Sequence, residues 1–219
     1  RPTTYYTETS GIGRALESMH PSLRPLKVGV IGLGTGTIAT YGSKGDVYRF
    51  YDINPAVIGI AKRDFSFVGK SDATIEIALG DARLNLEREA PQHFDVLAID
   101  AFSSDAIPVH LITSEALAIY RRHVKPGGII AFHVTNRYLD LAPVVQQLAD
   151  AQGLHAVLVA DDGEEPMGSR SDWVLLSDSE DALEVDGIDE VAEAIEPHAG
   201  WRLWTDDFNN IVQVLKSSD

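Results

Sequence analysis

The sequence predicts a doubly wound α/β fold built on a mostly parallel, seven-stranded sheet. Short β-branched apolar runs alternate with helix-length amphipathic stretches, the pattern of a parallel sheet covered by helices. The first run empties into three alternating glycines, and acidic residues close the runs that follow. Strands are expected at 27–31, 47–51, 74–78, 94–99, 128–133, 156–160 and 173–176, with helices near 37–41, 55–65, 82–89, 113–124 and 141–152. Asn54-Pro55 supplies an N-cap and a first-turn proline for the second helix, and Lys125-Pro126-Gly127-Gly128 stops the fourth. The acidic stretch 177–196 reads as a solvated surface helix with its approach loop.

Composition narrows the function classes. The 219 residues include no cysteine, which excludes a disulfide framework, a cysteine nucleophile and cysteine-held metal. A formal net charge of −15 argues against nucleic acid and favours a small cationic partner. No apolar run approaches the roughly 20 residues needed to span a bilayer. A cytoplasmic location with no membrane contact by this segment is expected. The first residue, Arg1, is also compatible with a soluble piece of a longer membrane-attached parent. His-Glu-x-x-His and Gly-x-Ser-x-Gly are both absent, so neither a zinc hydrolase nor a serine-hydrolase elbow is indicated, and no metal is expected.

The loop Gly32-Leu33-Gly34-Thr35-Gly36 carries the strongest chemical signal. Glycines there allow positive φ and close approach of a ligand to the backbone, although a plain tight turn would use them too. Asp52 ends the next strand twenty positions after Gly32, where an acid commonly takes ribose hydroxyls; it could equally serve the start of the helix beside Asn54. A dinucleotide fingerprint needs glycine at position 37, where Thr37 stands, and a phosphate loop is missing its first glycine at Asp64. The spacing found is closest to that of S-adenosylmethionine-type sites, whose sulfonium suits an acidic pocket. Asp81 closes the third strand, able to accept from an adenine amino group, with the Ala82 N–H facing a ring nitrogen, or to cap the next helix. Asp100 closes the fourth. Four consecutive strand ends thus face one crevice, where open α/β sheets bind ligands.

With these residues in place the chain resembles the spermidine synthase family of aminopropyltransferases, and more closely its bacterial spermidine-synthase-like domains. The resemblance runs from Tyr5 to about Leu141, with a family-like tail at Trp204-Thr205-Asp206-Asp207. It implies the class I S-adenosylmethionine-dependent methyltransferase (Rossmann-like) fold. It also implies a single domain over 1–219: an amine-lining segment (1–25), a nucleotide-binding core (26–176) and a tail (177–219). The co-substrate would be S-adenosylmethionine or its decarboxylated form, held by Gly32, Gly34, Thr35, Gly36, Asp52, Ile53, Asp81 and Ala82. Asp100 would be the general base. Tyr5, Tyr6, Glu8, Asp105, Asp206 and Asp207 would meet a cationic amine, and a homodimer is left open. The chain departs from the family at Thr35, where spermidine synthases carry aspartate, and by lacking their N-terminal hairpin domain. A methyltransferase on a small acceptor and a non-catalytic nucleoside-sulfonium sensor are the rival readings.

Overall fold

A computed structural model describes residues 1–19, 25–101, 108–164, 166–198 and 200–216. Its order is α1 (Gly11–Met19), β1 (Lys27–Ile31), a 3-10 turn (Thr37–Tyr41), β2 (Val47–Asp52), α2 (Pro55–Asp64), α3 (Phe67–Lys70) and β3 (Thr74–Leu79). There follow α4 (Ala82–Arg88), β4 (Phe94–Ile99), α5 (Ser114–His123), β5 (Val124–His133), α6 (Ala142–Ala151), β6 (His155–Asp161) and β7 (Ser171–Ser177). The seven strands lie in the order β3-β2-β1-β4-β5-β7-β6, and β7 alone runs antiparallel to its neighbours. The expected seven strands and mostly parallel sheet are therefore present. Strand order reverses between β1 and β4, which opens a crevice at their carboxyl ends.

Two apolar layers hold the sheet. On one face α4, α5 and α6 contribute Leu86, Leu117, Tyr120, Val145 and Leu148, joined by Trp204 and Val214 from the tail. On the other, Ile12 and Leu16 of α1 pack with Ile38, Ala61 and Trp173. Strand β4 is buried along its whole length, as a central strand covered on both faces must be.

Three local expectations differ from what forms. Helix α1 has no counterpart among the expected helices, and its Gly11 and Gly13 are poor helix formers. Tertiary packing overrides that propensity: a Cβ on Gly13 would lie 2.1 Å from the Thr7 carbonyl oxygen, and one on Gly11 would lie 2.5 Å from the Trp173 Cβ. The helix at 37–41 is a 3-10 turn, too short to present a strong helix end to a ligand. The acidic stretch 177–196 forms no α-helix. Short 3-10 turns at Glu180–Ala182 and Asp189–Val191 flank Gly187 at φ 88°, and Leu183 and Ile188 are buried.

Candidate functional site

The crevice edge is built by backbone bonds that fix the glycine loop between its neighbours. Gly32 N–H donates to the Tyr51 carbonyl at 2.8 Å, and Asp100 N–H donates to the Ile31 carbonyl at 2.8 Å. Gly32, Gly34 and Gly36 all have positive φ. Asp52 braces the loop as well: one carboxylate oxygen accepts from Leu33 N–H at 3.0 Å and the other from Asn54 N–H at 2.8 Å. Thr35 is half-buried and its hydroxyl meets that of Thr37 at 2.9 Å. Around this rim several large apolar groups remain in water. Ile53 is 70% exposed, Leu79 (the register partner of Asp52) 57%, and Leu84 48%. Such a cluster is the kind of surface that a flat apolar ligand covers.

Asp81 does two things at once. It caps α4 by accepting from Leu84 N–H at 2.9 Å, and its second oxygen meets His110 Nε2 at 2.8 Å. Partial burial opposes its charge, but the Leu84 N–H and His110 outweigh that and hold its carboxyl below the ordinary range. Ala82 is buried as the first residue of α4. An open cleft of about 490 Å³ follows, lined among others by Asp81, Arg83, His110, Thr113 and Asp206.

Asp206 joins that cluster and not the fourth strand end. Arg83 grips it through two bonds, 2.7 and 2.5 Å, and the Thr113 hydroxyl adds a third at 2.9 Å. Asp207 is exposed beside it, in the turn closed by Thr205 and Phe208. Arg83 depresses the Asp206 carboxyl, and the guanidinium is itself largely buried, with 12% of its side chain exposed. A depressed carboxylate stabilises the fold above its unfolded pKa, about 3.9, and loses that contribution as pH falls through the folded value. Asp206→Asn is therefore expected to cost about 1 kcal/mol at pH 7, limited by solvent screening of the exposed carboxylate. In thermal melts that is a drop of roughly 2–4 °C. The gap from wild type should close as pH falls below about 4; a gap independent of pH would show that the ion pair is not its source.

Asp100, only 7% exposed at its side chain, lies at the end of β4 with both oxygens engaged. The Tyr6 hydroxyl donates to one at 2.6 Å, and His133 Nδ1 meets the other at 2.7 Å. Burial first, and then the Asp100 charge, raises the Tyr6 phenol well above the ordinary tyrosine range, so it stays a donor. His133 is stacked on Trp173 with centroids 4.5 Å apart at 8°, and the Tyr5 ring stands 5.5 Å from it. The N-terminal segment reaches this place along anchored backbone: Thr4 pairs with Gly168, the Tyr41 hydroxyl donates to the Tyr6 carbonyl, and Trp173 Nε1 donates to the Tyr5 carbonyl.

The sequence-derived residues are thus distributed over linked sites. Tyr5, Tyr6 and Asp100 meet at one end of the crevice, Asp52, Ile53 and the glycine loop at its middle, and Asp81 and Ala82 at the other end with Asp206. Glu8 is exposed beside Arg14, Glu17 and Glu184, in a different surface cleft. Asp105 lies outside the described residues. Missed from sequence were His133, His110, Arg83 and Trp173. His133 could have been found by extending the strand-end rule to the fifth strand. Among the described residues, no group of three or more acids and histidines is placed to hold a metal ion, and no helix is long and apolar enough to cross a membrane.

No protein-family profile matches the chain. It is 29% identical to the polyamine aminopropyltransferase of Vibrio vulnificus over 114 residues, which is 49% of this chain and 37% of that protein. The match therefore spans little more than a third of the curated relative. A probable spermidine synthase from Corynebacterium glutamicum superposes with TM-score 0.59 at 17% identity, covering 83% of this chain and 71% of that one. Human methyltransferase-like protein 13, solved in complex with S-adenosylhomocysteine (SAH), gives 0.60 at 18% identity, covering 81% and 85%. The chain therefore has the Rossmann-like fold that these solved methyltransferases and spermidine synthases share. Within it, the chain is similar to the spermidine synthase-like family.

Proposed function

We propose that the chain is a spermidine synthase-like transferase, moving an aminopropyl group from decarboxylated S-adenosylmethionine to an amine acceptor and releasing methylthioadenosine. The observation that carries this reading is the buried Asp100 carboxylate, fixed between Tyr6 and His133 at the strand end beside the glycine loop. A free alkylamine is protonated at pH 7, with a pKa of about 10.4, so the site must draw in a cation and then remove its proton. Asp100 supplies the negative charge, and the groups bonded to it keep that charge in place. Tyr5 offers an aromatic face to the ammonium group. The nucleoside would lie across the middle of the crevice. Among the described residues, and its chain neighbours aside, no atom lies within 4 Å of the position a Cβ on Gly34 would take, which leaves the loop open to close approach. Asp52 would take the ribose, the exposed Ile53 and Leu84 would cover the base, and Asp81 would meet the adenine edge, where His110 now sits on one oxygen.

The test incubates the protein with an aliphatic diamine and either decarboxylated or intact S-adenosylmethionine, and resolves the products. Methylthioadenosine together with an elongated polyamine supports the reading. S-adenosylhomocysteine would replace it by methyl transfer, and tight binding of either donor without turnover would replace it by a sensor.

Donor choice has its own handle at Thr35. An aspartate in the loop would attract the ammonium of the decarboxylated donor and repel the carboxylate of S-adenosylmethionine. Thr35→Asp is expected to raise the affinity ratio of decarboxylated donor to S-adenosylmethionine several-fold, as a short-range charge effect of about 1 kcal/mol does. Dissociation constants of both donors for both proteins, at one salt concentration, decide it. An unmoved ratio would mean that position 35 does not face the donor's tail.

A further inference from the structure

The imidazole of His133 has an unused nitrogen. Nδ1 meets Asp100 at 2.7 Å, whereas Nε2 is buried and has no hydrogen-bond partner among the described residues. The ring is held rigidly, stacked on Trp173 and flanked by Tyr5 and by the edge of Tyr6. An ionised Asp100 can only accept, so the shared hydrogen belongs to Nδ1 and Nε2 of the neutral ring carries a bare lone pair. The opposite tautomer would bury an N–H without an acceptor and set two acceptors against each other.

We propose that His133 is the proton acceptor at this site and that Asp100 is its positioning residue, an assignment that rests on the aminopropyl-transfer reading above. Among the described residues, few groups face the ring. Asp100 comes from β4 and Tyr5 and Tyr6 from the N-terminal segment; on β7 the stacked Trp173 is uncharged, with Asp172 next to it in sequence. Geometry favours the imidazole: both Asp100 oxygens are engaged, whereas His133 Nε2 carries a lone pair with no partner among the described residues. The imidazolium so formed is neutralised by the carboxylate already in contact with it.

In the step itself, Nε2 takes one proton from the acceptor's ammonium group. The freed nitrogen lone pair forms a C–N bond to the aminopropyl carbon attached to sulfur. The C–S bond breaks with its electron pair going to sulfur, which leaves as the neutral thioether of methylthioadenosine. The product nitrogen is a secondary ammonium, and His133 returns its proton to water, so each turnover releases one proton.

The discriminating variant is His133→Asn. Its amide N–H stands where Nδ1–H stood, so the bond to Asp100 is kept while Nε2 disappears. Turnover of the diamine should fall about 100- to 10,000-fold with donor affinity unchanged, and the pH profile of kcat/KM should change with it. A His133→Asn protein that retains wild-type turnover and the same pH profile overturns the proposal and leaves the aminopropyl-transfer reading standing. A wild type that never elongates a diamine overturns that reading, and the proton acceptor assigned for it falls too. Nitrogen NMR of the wild-type imidazole needs neither variant nor turnover. At neutral pH it should show Nδ1 protonated and Nε2 bare; a protonated Nε2 would overturn the proposal by itself.

Discussion

Replacing Asp100 by asparagine is expected to lower turnover about 100- to 10,000-fold without weakening nucleoside binding. The shape is conserved, so the loss comes from charge and hydrogen-bond polarity. Asparagine's oxygen can still accept from Tyr6, but its amide then points hydrogens at His133 Nδ1, which in the native site shares its hydrogen with a carboxylate. The imidazole must give up its contact, and with it the anchor that aims Nε2, or move its hydrogen to Nε2, which then has no lone pair to offer the amine. Attraction for the cationic acceptor falls as well, so KM for the amine should rise. A separate optical signature accompanies this. Burial keeps the Tyr6 phenol above its usual pKa, but the part owed to Asp100 disappears, so tyrosinate absorbance should grow in at lower pH than in wild type. Single-turnover kinetics and an ultraviolet pH titration on the two proteins provide the check. Wild-type rate in Asp100→Asn would remove the carboxylate from the chemistry altogether.

The second large effect belongs to the glycine loop. In Gly32→Ala the new Cβ would sit 2.4 Å from the Asp100 carbonyl oxygen at a φ of 98°, a conformation that side chains rarely adopt. Neither strand can give way cheaply, because the Gly32 and Asp100 amides are both committed to neighbouring strands. Backbone strain and overpacking together should cost about 2–5 kcal/mol, or roughly 5–15 °C in melting temperature. Gly34→Ala is the contrasting case. Its φ of 50° is reachable by alanine for about 1–2 kcal/mol, and nothing in the fold crowds the added methyl. Chemical denaturation should therefore rank Gly32→Ala far below Gly34→Ala in stability. Calorimetry with methylthioadenosine should nonetheless show Gly34→Ala weakened tenfold or more. Undiminished affinity there would mean that the ligand does not approach the loop.

Much of this was legible in the chain. Strand β4, Phe94–Ile99, is buried at every position, and an apolar run broken only by Asp95 records that directly. Asn54 and Asp81 cap their helices as their residue types suggest, each accepting from a first-turn amide. The start of α1 was also written, in Ser10, whose hydroxyl accepts from Gly13 N–H, and in the helical spacing of Ile12, Ala15, Leu16 and Met19. Two glycines obscured it, because their cost in a helix is visible locally and the close contact with Trp173 that requires one of them is not. The site divides in the same way. Asp100 was singled out through its strand end, and His133 ends the neighbouring parallel β5; Trp173 reaches them only because the antiparallel β7 returns beside β5 and pairs Trp173 with His133. Asp206 was singled out as a free anion, and only the fold reveals that Arg83, 123 positions away along the chain, has claimed it.

The anchoring of the N-terminal segment also sets an order of assembly. The bond from Tyr6 to Asp100 closes 94 positions of chain, and that from Trp173 to the Tyr5 carbonyl closes 168. Contacts of such span form late, since the entropy of closing the loop is lost before any of them can return stabilisation. The glycine loop with Asp52, by contrast, needs only the neighbouring β1 and β2. A chain emerging from its N-terminus could shape the nucleoside half of the crevice early, yet its first six residues must wait for β7 before Asp100 and His133 acquire their surroundings. If the proposed function holds, competence for chemistry is in this sense the last thing the fold completes.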